Sequence, residues 1–206
     1  MDMKNMTLSA FTQRTASNEP VPGGGSVAAL AGSIAAALSG MVASLTIDKK
    51  GYEQYRPEML NLFEKAESLR VRLLDDIQRD GTSFDAYISA LSLPKETEQQ
   101  RQARSAALQQ ALKAAAAIPL EVAQTALEIM PLAKLAVQYG NKNTVTDGVI
   151  SAMMARTAVL AALCNVKINL ASIKDADYVA KTASQVQKLE QAAVQMETDI
   201  LSRAPY

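Results

Sequence analysis

The sequence contains no histidine and only one cysteine, Cys164. The absence of histidine excludes a Ser-His-Asp triad, a Cys-His pair and every zinc site that uses an imidazole ligand. A lone cysteine excludes an intrachain disulfide and a thiolate metal site, so we expect a cytoplasmic protein. Any acid–base chemistry must therefore use aspartate, glutamate, lysine, tyrosine, Cys164 or the substrate itself.

The chain also lacks net charge, because its 21 Lys and Arg residues are balanced by 21 Asp and Glu residues. Proteins that bind DNA or RNA usually carry a basic surface that attracts phosphates. We therefore expect no nucleic-acid partner.

Aromatic residues make up only 4% of the 206 residues, whereas apolar residues reach 49% and alanine is very common. This composition favours closely packed helices over a β-sandwich or a barrel. We predict an all-α fold, a single-domain up-and-down bundle of about six helices formed by residues 1–206. A short helix is predicted after Thr7, and the others span about 26–47, 57–93, 96–139, 146–173 and 175–202. Gly81 is expected to interrupt the third of these helices beside Asp80, and Pro119 is expected to kink the fourth before Pro131 starts another turn.

The stretch from Pro20 to Ile47 contains no charged residue and is long enough to cross a membrane. Its glycines and serines dilute the hydrophobicity and no basic cluster flanks it, so we predict a buried helix and no membrane partner. Small residues recur along this helix at four-residue steps. Such a stripe fits close packing in the core and a subunit interface equally well; its members are Ala28, Gly32, Ala36, Gly40 and Ser44.

The most informative segment is the turn Pro22-Gly23-Gly24-Gly25-Ser26. Three consecutive glycines are unfavourable in a regular element, and they indicate a tight turn or a close approach of the backbone to a ligand. Ser26 is expected at the N-cap of the next helix, where free N–H groups can bind a polar ligand. The segment is not a nucleotide-binding P-loop, because that motif needs Gly-Lys-Ser/Thr after its loop, and here Val27 and Ala28 follow Ser26.

A second candidate is Asp80, which lies among the inward-facing positions Ile77 and Phe84 of a predicted helix. A carboxylate in an apolar setting has a perturbed pKa and suits general acid or base work. An exposed carboxylate that pairs with a surface lysine or arginine is the alternative.

Further polar groups lie near the last two helices. The loop from Gly140 to Asp147 contains Asn141, and its threonines and Asp147 could either cap a helix or contribute to a site. Asn165 and Asn169 are one turn apart and could either recognise a polar ring edge or join two helices. Cys164 is expected to be a small buried residue.

These residues resemble, in order along nearly the whole chain, the formiminotetrahydrofolate cyclodeaminase and methenyltetrahydrofolate cyclohydrolase family. This family includes free bacterial proteins and the second domain of the bifunctional formiminotransferase-cyclodeaminase. The matching segments are residues 22–29, Asp80 with Phe84 and Tyr87, residues 93–95, 118–120, 140–141 and 146–147, Asn165-Val166, and residues 168–170.

The resemblance implies a dimeric, all-helical, metal-free enzyme whose substrate is a one-carbon tetrahydrofolate. The cyclodeaminase reaction would convert 5-formiminotetrahydrofolate to 5,10-methenyltetrahydrofolate and ammonia. The cyclohydrolase reaction would add water to the methenyl carbon and give 10-formyltetrahydrofolate. A non-catalytic helical assembly protein is the rival interpretation.

On this resemblance, Asp80 and Asp147 are the candidate acid–base and cation-stabilising groups. Ser26 and the backbone of Gly23, Gly24 and Gly25 would bind polar groups of the folate, while Asn141, Asn165 and Asn169 would orient the pterin or the one-carbon group. Lys95 would contact the carboxylate tail, or be solvated. Thr146, where the family commonly has serine, and Gly148, where a side chain is more usual, are departures beside Asp147. The formimino substrate is expected to come from a separate formiminotransferase.

Overall fold

The computed structural model of the chain describes residues 2–204, and that part contains seven α-helices, three short 3₁₀ turns and no β-strand. The predicted all-α fold is confirmed. The structure has one helix more than the six predicted, because the predicted helix over 96–139 is divided at Glu128. The first of its two parts continues through Pro119. The helices are α1 (Leu8–Thr15), α2 (Gly24–Ile47), α3 (Arg56–Leu91), α4 (Glu98–Leu127), α5 (Ile129–Tyr139), α6 (Val145–Leu170) and α7 (Ala176–Leu201).

Helix α2 lies between α3 and α6 and runs antiparallel to both. Its first turn contacts Asp80 of α3 and Asn165 of α6, near the ends of those helices. Ser39 in its second half is 2.8 Å from the hydroxyl of Ser151, near the start of α6. Helices α4 and α7 pack outside α6, which completes the up-and-down arrangement.

The small-residue stripe of α2 packs in the core. A Cβ added at Gly32 would lie 3.1 Å from Leu73 of α3, and one added at Gly40 would lie 3.6 Å from Ala66. The missing side chain of Gly32 therefore lets α2 and α3 approach closely, whereas position 40 has room for an ordinary side-chain contact. Of the two interpretations of this stripe, core packing describes its first four members, whereas Ser44 is exposed.

The opposite, outward face of α2 is apolar and exposed. Val27, Ile34, Met41 and Leu45 are each 38–51% exposed, and no charged residue lies between Gly24 and Ile47. Two segments are long and apolar enough to span a membrane by length and composition, Gly24–Ile47 and Lys142–Leu170. In the first, 61% of the apolar window is already buried inside the bundle, as in a core helix.

Two further expectations differ from the structure. Gly81 does not interrupt α3, and its missing side chain makes room for Met3 of the first 3₁₀ turn. Cys164 is exposed rather than buried, because it lies on the outward face of α6 together with Ile168.

Candidate active site

A cleft of about 400 Å³ opens where α2 begins and where α3 and α6 approach their C-terminal ends. The antiparallel packing brings together residues that are far apart in sequence. From the predicted set, the cleft is lined by Gly23, Gly24, Gly25, Asp80, Asn165 and Asn169; its other lining residues are Pro20, Val21, Ser83, Phe84, Tyr87, Leu112, Ala115, Ile168 and Ser172.

Asp80 is the single carboxylate among these lining residues, and α2 holds it from one side. Ser26 donates its hydroxyl to Asp80 Oδ2 at 2.8 Å and also donates its backbone N–H to this carboxylate. Burial raises the pKa of the Asp80 carboxyl above its ordinary value, and the two hydrogen bonds from Ser26 only partly oppose that rise. No lysine or arginine pairs with Asp80 within residues 2–204. The carboxyl group can therefore hold or release a proton nearer to neutral pH than an exposed aspartate.

Gly25 is required for this arrangement. A Cβ at position 25 would overlap the Asp80 carboxylate, whereas a Cβ at Gly24 would make an ordinary 3.4 Å contact with Asn165. The glycine run is thus explained by a close approach of the α2 backbone to a functional group.

The expected N-cap at Ser26 is wrong. The helix begins at Gly24, with Gly23 as its N-cap, so Ser26 lies inside the first turn and is fully buried. Its hydroxyl is used by Asp80 and by the carbonyl of Ile77, which are both on α3. Ser26 therefore fixes the carboxylate instead of the helix end.

Asn165 and Asn169 project from one face of α6 at the floor of the cleft. Their amide nitrogens donate to main-chain carbonyls, from Asn165 to Ala161 and from Asn169 to Ala115 and to Asn165. Neither Oδ1 atom receives a hydrogen bond from the described part of the chain. Asn169 thus joins α6 to α4, and both residues retain a carbonyl oxygen that can accept an N–H from a ligand.

Lys95 lies outside the cleft, in an adjoining cavity that shares Tyr87 and Leu112 with it. Arg104 and Lys174 line the same cavity. Sequence reasoning missed these two residues because they belong to separate elements, α4 and the loop after α6. No local spacing signals that they meet.

Asn141 and Asp147 lie at the other end of the bundle. Asn141 donates its backbone N–H to Thr46 Oγ1 at 2.8 Å, and its side-chain oxygen accepts from Asn143 at 3.1 Å. Ser26 contacts Asp80 and Thr46 contacts Asn141, at opposite ends of α2. With a rise of about 1.5 Å per residue along α2, Asn141 therefore lies roughly 30 Å from Asp80 in the same chain. Asp147 is in the first turn of α6, close to Asn141, and neither residue lines the cleft.

The predicted threonine cap of α6 differs from the structure. Thr144 occupies the N-cap position of α6, but its hydroxyl donates to the Asn141 carbonyl and accepts nothing from the helix. Among residues 2–204, no group of three or more His, Cys, Asp or Glu side chains is placed to hold a metal ion.

Comparisons of the sequence and of the fold with known proteins point to the same family. The sequence model of the family described as formiminotransferase-cyclodeaminase matches residues 7–188. A methenyltetrahydrofolate cyclohydrolase from Methylorubrum extorquens is 35% identical over 90% of this chain and 89% of its own. The crystal structure of formiminotetrahydrofolate cyclodeaminase from Thermotoga maritima has a TM-score of 0.86 at 29% identity and covers 97% of this chain and 96% of its own.

The longer relatives are only partly covered. A formimidoyltransferase-cyclodeaminase from Rattus norvegicus is 32% identical over 91% of this chain, which corresponds to 35% of the rat protein. The chain therefore spans about a third of the length of this relative, and nearly the whole length of the Methylorubrum protein. The match to the family covers most of the sequence, and the chain belongs to the formiminotransferase-cyclodeaminase family.

Proposed function

We propose that this chain is a one-carbon tetrahydrofolate enzyme that converts 5-formiminotetrahydrofolate to 5,10-methenyltetrahydrofolate and ammonia in the Asp80 cleft. The observation that carries the proposal is the carboxyl group of Asp80, whose pKa burial raises and which Ser26 holds at the first turn of α2. The name of the Thermotoga relative, which matches this chain in fold over nearly its whole length, supports the choice of reaction.

In the proposed reaction, the folate N10 attacks the carbon of the protonated formimino group, N5–CH=NH₂⁺, and a tetrahedral intermediate forms that carries an amino group on this carbon. Asp80 accepts the proton that N10 loses and returns a proton to the former imino nitrogen, which leaves as ammonia. The lone pair on the ring nitrogen then forms the C=N⁺ bond of the methenyl product. A carboxyl group with a raised pKa suits both transfers, since it must take up and release the same proton.

The other cleft residues are assigned to binding. The backbone of Gly23, Gly24 and Gly25 lets the folate approach α2 closely, and the positive end of that helix favours polar ligand atoms. The free carbonyl oxygens of Asn165 and Asn169 would accept N–H groups of the pterin or the one-carbon unit. Lys95, in the adjoining cavity, would contact a carboxylate of the substrate tail.

A second candidate function is hydrolysis of 5,10-methenyltetrahydrofolate to 10-formyltetrahydrofolate. The Methylorubrum relative, which is named a cyclohydrolase and matches this chain in length, favours it. Water would attack the methenyl carbon, and Asp80 would accept one water proton and pass it to N5 as the bond between N5 and that carbon breaks. The second water proton would be released to solvent as the formyl C=O bond forms. The same carboxyl group therefore serves either reaction.

We also propose that the enzyme is a homodimer formed through the outward face of α2, defined by Val27, Ile34, Met41 and Leu45. A two-fold axis through the middle of this face would pair the two α2 helices antiparallel. The C-terminal end of one α2 would then lie beside the N-terminal end of the other. Asp147 and Asn141 would reach the Asp80 cleft of the partner subunit, which explains how residues roughly 30 Å apart in one chain can serve one site.

Two further proposals concern the setting of the enzyme. The formimino substrate would be made by a separate formiminotransferase protein, the activity that the rat relative combines with its cyclodeaminase by name. The cytoplasm is the proposed location, because Cys164 has no disulfide partner in the sequence.

An absorbance assay of the methenyl chromophore tests the proposal. Its appearance from 5-formiminotetrahydrofolate, with release of ammonia, would establish the cyclodeaminase. Enzyme-dependent decay of 5,10-methenyltetrahydrofolate alone would establish the cyclohydrolase. No change with either substrate would contradict both reactions and favour a non-catalytic helical assembly protein.

A further inference from the structure

One wall of the cleft is formed by an irregular segment between α1 and α2. It consists of Pro20, Val21 and Pro22, which we call the strap, and its first two residues line the cleft. Two of the three are prolines, which have no main-chain N–H to donate. Within residues 2–204, none of the three makes a hydrogen bond to another main-chain group. The strap therefore depends on side chains to hold its position.

Arg14, in the last turn of α1, is the side chain that holds the strap. Its Nε donates to the main-chain carbonyl of Val21 at 2.8 Å, and no other side chain within residues 2–204 donates a hydrogen bond to the strap. Glu19 lies 3.5 Å from the same guanidinium but makes no bond to the strap itself. Phe11 of α1 is buried in the core and fixes the helix to the bundle. Arg14 therefore connects the strap to a fixed element.

The strap lies against the turn of α3 that carries Asp80. A Cβ added at Gly81, the residue after Asp80, would lie 3.3 Å from Val21 Cγ1. A Cβ added at Gly23 would lie 3.2 Å from the Pro20 carbonyl oxygen, so the strap also folds closely onto the start of α2. Val21 thus places apolar atoms beside the turn that carries the functional carboxyl group.

The surroundings of Asp80 contain no charge that could replace this apolar cover. Tyr87 is the only other titratable side chain in the cleft lining, to which α2, α4 and α6 contribute uncharged residues. The charged residues in the two turns of α3 before Asp80 are all paired, and Asp85 after it is exposed; the pairs are Lys4–Asp75, Asp76–Arg79 and Arg79–Glu121. Within residues 2–204, no charged side chain shifts the pKa of Asp80, which burial raises and Ser26 partly lowers.

We infer that Arg14 is a positioning residue of this site, because its bond to Val21 keeps the strap against α3 and keeps water away from the Asp80 carboxyl group. This inference rests on the proposed function, in which Asp80 exchanges protons with the folate. Arg14 acts through Val21, since it does not line the cleft itself. Without Arg14, the strap would loosen and water would enter beside Asp80. Because burial is the largest cause of the raised pKa of Asp80, that pKa would fall towards its ordinary value.

The first test is the pH dependence of kcat/KM in Arg14→Gln. A general base works in its ionised form, so the acidic limb of this profile reports the pKa of Asp80 in the free enzyme. We expect the limb to move to lower pH. The maximum of kcat/KM should fall about tenfold, since a base with a lower pKa takes up the proton less readily. Arg14→Lys can still donate to the Val21 carbonyl and should recover much of both losses.

Glu19→Gln is the matched control for the charge of Arg14. It removes the ion pair at 3.5 Å but leaves the hydrogen bond from Arg14 to Val21. Its pH profile should equal that of the wild type. A shift as large as that of Arg14→Gln would assign the effect to the ion pair and overturn the role of the Val21 contact.

An NMR titration of labelled aspartate carboxyl carbons tests the inference without substrate. The Asp80 signal is identified by its loss in Asp80→Asn. Val21→Ala is a second variant, because it removes the atoms beside Gly81 and keeps the carbonyl that Arg14 binds. A lower Asp80 pKa in Arg14→Gln and in Val21→Ala supports the inference. An unchanged or higher pKa in either variant, when circular dichroism shows it folded, overturns it. Absence of turnover with either folate contradicts only the proposed function and leaves this titration decisive for the strap.

Discussion

The contact between Asp80 and the first turn of α2 determines what single substitutions in the cleft should do. Burial raises the pKa of the Asp80 carboxyl in the folded chain, so the ionised form is less favourable there than in the unfolded chain. Near neutral pH the ionised group therefore opposes folding. This cost disappears as the pH falls through the raised pKa, because the folded chain then binds the proton.

Replacing Asp80 by asparagine should separate activity from stability. We expect kcat to fall by about 10²–10⁴-fold, because asparagine cannot exchange the proton. Asparagine keeps one carbonyl oxygen for Ser26 and carries no charge, so the melting temperature at pH 7 should equal or exceed that of the wild type. Any increase in the melting temperature of the variant over the wild type should shrink at acidic pH, where the Asp80 carboxyl of the wild type is also uncharged. Steady-state kinetics and thermal melts at several pH values measure this, and near-wild-type turnover would remove Asp80 from the mechanism.

Gly25→Ala should disable the same carboxylate without changing it chemically. The new Cβ would overlap the Asp80 carboxylate, which must rotate away from Ser26. We expect kcat to fall by at least about 100-fold, comparable to the loss of the general acid–base group itself. Gly40→Ala is the matched control on the same helix, because its Cβ finds an ordinary contact 3.6 Å from Ala66. Equal kcat values in both variants would show that the contact with Gly25 does not position Asp80.

At the scale of helices, the two core glycines of α2 should respond in opposite ways to the same change. Alanine at Gly40 fits against Ala66, so the variant should be more stable by about 0.5–1 kcal/mol, the usual helix preference of alanine over glycine. Alanine at Gly32 would be 3.1 Å from Leu73 and 3.4 Å from Ala158. Such overpacking typically costs about 1–3 kcal/mol and should outweigh the helix preference.

Urea unfolding of both variants measures this difference directly. A stability order in which Gly32→Ala exceeds Gly40→Ala would contradict the described packing of α2 between α3 and α6. The m-value should stay constant, since neither change alters the surface exposed on unfolding.

The helices themselves were largely predictable, because their signals are local. Thr7, Asp175 and Gly140 lie at or next to the predicted boundaries, and Thr7 and Asp175 accept hydrogen bonds from the helices they cap. The errors occur where a long-range contact competes with a local rule. Ser26 resembles an N-cap, but Asp80 takes its hydroxyl, and Gly81 resembles a break, but Met3 fills the space beside it.

At the scale of the whole molecule, the proposed dimer predicts that inactive variants can restore each other. If Asp147 serves the cleft of the partner subunit, a heterodimer of Asp80→Asn and Asp147→Asn contains one doubly altered site and one intact site. Mixing equal amounts after reversible dissociation should recover about a quarter of wild-type turnover, because half of the dimers are mixed and half of their sites are intact. Each variant alone should be nearly inactive.

The mixing experiment needs two controls. Light scattering should report a particle of two 22.0 kDa chains for the wild type, and Ile34→Glu should yield single chains by charging the apolar face of α2. Leu8→Glu, at a residue that is 70% exposed on α1, should leave the dimer intact. Dimers that show no recovery on mixing would place each complete site within one chain, and full turnover of Asp147→Asn would exclude that residue.

The arrangement of the site could be predicted only in part. Asp80, the glycines and the two asparagines meet because α2, α3 and α6 are antiparallel neighbours, and the up-and-down fold makes that meeting plausible from sequence. Asn141 and Asp147 lie far from Asp80 because the length of α2 separates the two ends of the bundle. The sequence alone does not show this distance, because it depends on how the helices pack. Arg104 and Lys174 carry no local pattern at all, since only the tertiary fold brings them to one pocket.

The overlap between a side chain at position 25 and the Asp80 carboxylate has a consequence for other chains with this fold. Any side chain larger than hydrogen at the corresponding position would occupy the space that the carboxylate needs. A relative that retains the aspartate but has lost this glycine should therefore be a binding protein that has given up turnover. One codon, outside the reacting groups, would then distinguish enzymes from their inactive descendants.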